Sequence, residues 1–298
     1  VFIHVPAGVR LERPVQLVNI FSAEFPFMAP RRILLVAGRG SEVSVLKCDH
    51  SQRSDTHYLS SEVVEIFAGE DARVGWYDLE ESSPATARYC QVFARQEARS
   101  ALNACVATLS NGNTRNEFSV EVAGDGCETH LNGLAIGADG EHVDNNTRVR
   151  HSSCRSNSSQ LFKYVLDGES TGAFEGEIEV CHGARFNEAY QSNRNILASI
   201  SARMHSKPRL LIYNDDVKCS HGATTGQLDA KALFYMQARG IPLAEARRML
   251  MQAFLMDVVD GIGLEPLRDR LRHMVERRFA GEAASCRSCA AARDCHAE

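Results

Sequence analysis

From Ile33 to about Tyr213 the chain returns, at a nearly constant interval, to a small residue followed by a charged and often a strand-forming one. The triplets are Ser41-Glu42-Val43, Ala72-Arg73-Val74, Ala98-Arg99-Ser100, Cys127-Glu128-Thr129, Cys154-Arg155-Ser156 and Ala184-Arg185-Phe186, so the small residues stand 31, 26, 29, 27 and 30 positions apart. Between them lie short runs of period two, such as Phe118-Ser119-Val120-Glu121-Val122 closed by Gly124-Asp125-Gly126, and no helical pattern. A period of this size, built of strands and turns, arises when each coil of a solenoid buries its apolar face only on its neighbours. A β-sandwich would place turn signals every ~8–12 residues without the longer period. The expected fold is therefore mainly β, a β-helix over residues 1–226.

After Gly226 the rhythm changes. Asp229 is placed to cap a helix over Ala230–Arg239, with Gly240 as its left-handed stop. Pro242 suits the first turn of a second helix, whose apolar stripe would be Ala246, Met249, Leu250, Ala253 and Phe254, ended by Gly261 and Gly263. A third, around Pro266–Phe279, would bury Leu267, Leu271 and Val275 under a basic face. A solenoid has open ends, and this helical region, residues 227–280, is expected to cap one of them; residues 281–298 form a Cys-rich tail.

Composition excludes several classes. The chain has 298 residues, 44% of them hydrophobic and 24% charged, which fits a folded globular protein. A net charge of −5 argues against a nucleic-acid partner. No apolar run approaches the ~20 residues that span a bilayer, and Val-Phe-Ile-His-Val-Pro lacks the charged start of an export signal, so no membrane association and a cytoplasmic location are expected. Ten cysteines in such a chain should be reduced thiols. Cys48, Cys90, Cys105, Cys127, Cys154 and Cys181, scattered singly among strands, suit a tight core.

Cys219 is different. It lies in Asn214-Asp-Asp-Val-Lys-Cys-Ser-His-Gly-Ala-Thr-Thr-Gly226, two residues from His221, where β-type sequence gives way to helices. Two residues apart on an extended strand means one face, so the thiol and the imidazole can address one metal or one partner surface. The plain alternative is a buried cysteine beside a hydrogen-bonded histidine. A second donor group, Cys286, Cys289, Cys295 and His296, has the CxxC bite of a zinc or iron–sulfur site, though a reduced tail would read the same way.

The segment from Lys207 to Phe254 resembles the carboxy-terminal signature of the SufD group within the SufB/SufD family of SUF iron–sulfur cluster assembly. The matching residues are Lys207-Pro208, the run Cys219 to Gly226, Leu233-Phe234-Tyr235, Arg239-Gly240-Ile241, Ala246 and Ala253-Phe254. Upstream, Gln160-Leu-Phe-Lys163, Gly172-Ala-Phe-Glu-Gly176 and Gln191-Ser-Asn-Arg-Asn195 are similar to the same family.

The resemblance implies a right-handed parallel β-helix, a helical region ahead of Val1 that is absent here, and a non-catalytic scaffold role. It implies pairing with SufB, or with a second copy in isolation, around a transient iron–sulfur cluster. His221 is the implied ligand, with Cys219 beside it. The essential SufB cysteine would come from the segment equivalent to Gln191–Leu197, which here has no thiol. Phe234, Tyr235, Arg239, Gly240, Ile241 and Phe254 would dock the ATPase SufC, a separate polypeptide because this chain has no Walker sequence. Two other readings are a β-helix enzyme acting on polysaccharide and a stand-alone metal-binding protein using the terminal cysteines. The first lacks an export signal and a carboxylate cluster that recurs in register.

Overall fold

A computed structural model describes residues 1–52 and 55–281. Sixteen strands precede the first helix: β1 (Phe2–Val5), β2 (Val15–Phe21), β3 (Phe27–Ala37), β4 (Glu42–Ser51), β5 (Tyr58–Ala68), β6 (Arg73–Glu81), β7 (Thr86–Gln96), β8 (Ala101–Ser110), β9 (Asn113–Val122), β10 (Glu128–Gly137), β11 (His142–His151), β12 (Asn157–Leu166), β13 (Thr171–Val180), β14 (Glu188–Leu197), β15 (Arg203–Ile212) and β16 (Lys218–Gly226). Odd strands form one eight-stranded sheet in chain order, and even strands form the other. All their pairings are parallel. One strand from each sheet makes a coil, so the expected parallel β-solenoid is the observed one.

The register refines the repeat. Glu42, Arg73, Ala101, Glu128, Asn157, Glu188 and Lys218 stack in one row, at steps of 31, 28, 27, 29, 31 and 30 residues. Ser41, Ala72 and Cys127 are therefore equivalent, but the partners aligned from sequence at Ala98, Cys154 and Ala184 are displaced; the true rung holds Ser100, Ser156 and Asn187. What recurs is a backbone conformation. Gly40, Asp71, Arg99, Gly126, Arg155 and Phe186, each two residues ahead of an even strand, all have φ between 56° and 72°. A non-glycine residue there costs ~1–2 kcal/mol. The N–H of each donates to a carbonyl of the next coil, as from Asp71 to Ala98 and from Arg99 to Asp125, both 2.9 Å, so stacking holds the corner in place.

Inward side chains fill the space between the sheets. The middle is apolar, with Trp76, Phe118, Leu131, Phe162 and Phe174 among its residues. Coils near the amino-terminal end enclose charge as well, beside apolar residues such as Leu35, Val45 and Ile66. Lys47, Asp49, Glu62, Asp78, Glu80 and Arg88 are all buried. The Lys47 ammonium bonds Glu62 and lies 3.0 Å from Asp78. Arg88 reaches Asp78 at 2.5 Å and Glu80 at 3.2 Å, while the half-buried Arg31 grips Asp49 at 2.9 and 3.0 Å. Three cations thus meet four carboxyl groups. Burial raises the Glu80 carboxyl above its ordinary range, and the proton this favours evens the count. Cys90 lies 3.6 Å from Glu62, its thiol pushed by burial up to about 12.

The helices are α1 (Ala230–Ala238), capped by Asp229, α2 (Leu243–Asp260) and α3 (Glu265–Phe279). They do not close the end of the solenoid. α2 and α3 run back across the outer face of the even sheet, packing on β12, β10 and β8. That face turns out Leu46, Tyr77, Leu79, Cys105, Leu134 and Val165, which share one core with Leu255, Val259, Leu271 and Val275. An apolar sheet face requires cover more than the end of a stack does. The stripe of α2 is rotated accordingly: Ala246, Leu255, Val258 and Val259 are buried, whereas Met249 and Ala253 are exposed. The third helix buries Leu267, Leu271 and Val275 as expected, with Met274. Of the scattered cysteines, Cys48, Cys90, Cys105 and Cys127 are core, while Cys154 and Cys181 are half-buried.

The interior can be tested at two positions. Lys47→Met keeps the shape but leaves Asp49, Glu62 and Asp78 short of a cation, and should cost about 3–5 kcal/mol in urea unfolding; a loss below about 1 kcal/mol would mean that the cluster does not depend on Lys47. His151, fully buried with Nε2 2.9 Å from Ser158 Oγ, is pushed by burial down to about 4. Its ordinary value is near 6.5, so between those values the unfolded chain takes a proton that the folded one refuses. Its contribution is whole above pH 6.5 and should fall by about 3 kcal/mol as the pH drops to 4. His151→Asn should flatten that part of the profile; parallel profiles for the two proteins would exclude it.

Candidate functional site

With the helices lying across a face, the carboxy-terminal end of the solenoid is open among the described residues. Among the described residues, β16 is the last strand of the even sheet and pairs only with β14; β15 ends the odd sheet. Pro208, which has no N–H to donate, stands in β15, where an edge tolerates it. β16 is held by Lys218 Nζ on Glu188 Oε1 at 2.8 Å, and by Asn195 Nδ2 on Thr225 Oγ1 at 3.1 Å.

Register decides which way the motif faces. Cys219 stacks on Ala189, Ser158 and Thr129; His221 stacks on Gln191, Gln160 and Leu131. Those rows are buried. The thiol and imidazole therefore share one face, as their spacing predicted, and that face is the continuation of the solenoid interior at its open mouth. His221 is exposed because, among the described residues, no coil follows. Cys219 is half-buried against the cluster of Ile178, Val180, Ala184 and Ala189, and this burial raises its thiol above the usual range, partly offset by a backbone hydrogen bond from Ala189. Asp216 belongs to the preceding corner, where its carbonyl accepts the Phe186 N–H. The segment Gln191–Leu197 is most of β14, directly beside the motif.

The residues expected to dock an ATPase separate into two groups. Phe234 and Tyr235 on α1 are 73% and 60% exposed, and α1 buries no residue. Arg239 lies over the Tyr235 ring at 5.1 Å and donates to its hydroxyl at 2.9 Å. Gly240, at φ +85°, turns the chain into Ile241 and α2. Leu243 and Met249 extend this exposed apolar surface. Phe254 does not belong to it: half-buried, it faces the sheet with the Lys163 ammonium 4.6 Å above its ring, and Lys163 also bonds the Phe254 carbonyl and Asp257. The rotation of α2 onto the sheet accounts for the difference.

Cys286, Cys289, Cys295 and His296 lie outside the described residues. Among the described ones, Glu62, Asp78 and Cys90 bring three donor atoms within 4.8 Å of one another, but the Lys47 ammonium already sits among them. Sequence reasoning did not find that cluster, because Lys47, Glu62, Asp78 and Arg88 come together only through stacking. Alternation in their strands was the available signal.

Fold and site together define a parallel β-solenoid with a pair of soft donors at an open end. Over residues 20–254 the sequence matches the family described as SUF system FeS cluster assembly, SufBD core domain, and the chain belongs to that family. It is SufD-like: it is 28% identical over 279 residues to the iron–sulfur cluster assembly protein SufD of Bacillus subtilis, covering 93% of this chain and 63% of that protein. A SufBD family protein of Synechocystis is 28% identical over 284 residues, 92% of this chain and 62% of the relative. SufD of Escherichia coli is 32% identical over 169 residues, 57% of this chain and 40% of that protein. The chain thus spans about three-fifths of the curated relatives that it matches along most of its own length.

The raised Cys219 thiol has a direct chemical consequence, because the thiolate is the nucleophile. In the isolated chain Cys219 should react with iodoacetamide more slowly at pH 8 than an unstructured peptide thiol, with a rate still climbing above pH 9. A plateau near pH 8 would contradict the effect of burial.

Proposed function

We propose that this chain is a non-catalytic SufD-type scaffold subunit that pairs through its open end with a SufB-type solenoid and docks a SufC-type ATPase through α1 and the start of α2. The iron–sulfur cluster is the cargo, formed transiently at the paired ends. The observation that carries this reading is the placement of Cys219 and His221 on the inward face of the last strand of the even sheet, at the open end. A neutral imidazole and a thiolate are both suitable iron ligands. Two donors cannot complete a cluster, so a partner must supply the others. The free edge of β16 offers the backbone hydrogen bonds for that partner, and in isolation a second copy would take its place. Among the described residues no helix is long and apolar enough to cross a membrane.

In the complex recovered with its ATPase and paralogous subunits, His221→Ala should leave the subunits together but lower the iron and acid-labile sulfide several-fold. Cys219→Ala should have the smaller effect. Wild-type iron in an intact His221→Ala complex would end the ligand role. Tyr235→Ala or Arg239→Ala should weaken binding of the ATPase at least tenfold with an unchanged urea midpoint, as expected for exposed aromatic and arginine anchors. Unchanged affinity with a lowered midpoint would make these residues part of the fold only.

A further inference from the structure

The row that ends at His221 changes character along the solenoid. It reads Val45, Trp76, Ala104, Leu131, then Gln160, Gln191 and His221. The two glutamines are buried, at 2% and 3% exposure. Their amides form a short ladder with one direction: Thr147 Oγ1 donates to Gln160 Oε1 at 2.7 Å, and Gln191 Nε2 donates to the same oxygen at 3.2 Å. In such a ladder each amide gives its N–H to the rung below and keeps its carbonyl for the rung above. Gln191 Oε1 is indeed a buried oxygen without a hydrogen-bond partner. The rung above it is His221.

Space for this amide comes from the opposite sheet. Gly176 stands where a Cβ would collide with the Gln191 side-chain amide, and the row of Gly176 holds Thr147 one coil earlier and Pro208 one coil later. Two stretches that are separate motifs in the sequence, one around Gly176 and one around Gln191, therefore serve a single contact level. The same pair of strands already joins in-register side chains on either side of this position, through Lys218 with Glu188 and Asn195 with Thr225.

We propose that Gln191 is a positioning residue for His221: its Oε1 accepts the proton of one imidazole nitrogen, fixing the ring and leaving the lone pair of the other nitrogen aimed out of the mouth at the incoming cluster. This rests on the ligand role proposed for His221, and extends it to the group that selects the ligating nitrogen. Metal-binding histidines commonly use the second ring nitrogen in this way, and loss of such a partner typically weakens metal binding or activity ~10–100-fold. An unpaired buried carbonyl is unfavourable, so the contact also satisfies Gln191.

The test is the tautomer of His221 in the full chain, read from ring nitrogen shifts after selective labelling of histidine, with the His221 signal assigned by its loss in His221→Ala. The wild type should show one dominant tautomer above pH 8. Gln191→Leu, which removes the acceptor, should give a mixture. Gln191→Glu, which keeps an acceptor, should retain the single form, since the Gln160 amide can turn to donate to it. Gly176→Ala leaves Gln191 in the chain but displaces its amide, and should reproduce the mixture even if Gln191→Leu folds poorly. Wild-type tautomer in Gln191→Leu or Gly176→Ala, or a mixture in Gln191→Glu, overturns the proposal. Iron and sulfide in the assembled complex are the second readout, expected to fall several-fold in Gln191→Leu, by no more than in His221→Ala, and to recover in Gln191→Glu. A changed tautomer with undiminished iron would keep the positioning contact and refute the cluster-ligand reading instead.

Discussion

Parallel in-register stacking is the constraint on which everything else in this structure depends. Each inward residue sits above and below the residues about 29 positions away, so a side chain is judged by its row rather than by its sequence neighbours. A row of Val45, Trp76 and Ala104 is an apolar wall. A row that introduces Lys47 must bring Asp78 onto the next rung, and it does. The left-handed corner residues obey the same rule. Asp71, Arg99, Arg155 and Phe186 accept an unfavourable backbone conformation because the corner below and the corner above hold it there.

The interior is therefore divided by rows into three environments. Apolar rows run the length of the solenoid, while the remaining inward rows carry charge in the amino-terminal coils and neutral amides and hydroxyls in the carboxy-terminal ones. Ion pairs buried this deeply contribute little net stability, since desolvation offsets most of their attraction. Their effect is on which arrangement is allowed. A shift by one residue would turn Lys47, Glu62, Asp78 and Arg88 out of the interior and bring apolar neighbours such as Leu46 and Leu79 out of contact with the helices. The charged cluster and the helix-covered face thus support the same register from opposite sides of the sheet.

Covering that face also leaves the solenoid end uncovered by any of the described residues. Because α2 and α3 are committed to the even sheet, β16 keeps a free edge, and the last inward positions become surface. Cys219 and His221 are interior residues by row, yet His221 is exposed and Cys219 half-buried at this end; in the proposed role they are half of a site that a second subunit would complete. α1 buries no residue and presents Phe234 and Tyr235 to solvent, on an element distinct from the strand that carries Cys219 and His221.

Much of this was legible in the sequence. The repeat established the solenoid, because strand alternation that returns about every 29 residues is the pattern of coils stacked one strand per sheet. Asp229, Gly240 and Pro242 located α1 and the start of α2, because capping and turn chemistry are local. The spacing of Cys219 and His221 placed them on one face for the same reason. What the sequence could not supply is which residues share a rung: steps that vary from 27 to 31 hide the register, and so the displaced triplets at Ala98, Cys154 and Ala184 looked equivalent. Nor could it tell that the helices cover a face instead of an end, or that Phe254 turns inward, because that choice belongs to an apolar surface assembled from Leu46, Tyr77, Cys105, Leu134 and Val165 on five different coils. Local chemistry determined the elements and the face of the motif. Only the stacked structure decided that this face is the mouth of the solenoid, with Gln191 directly beneath His221, since residues about 30 apart in sequence become neighbours only when the coils close.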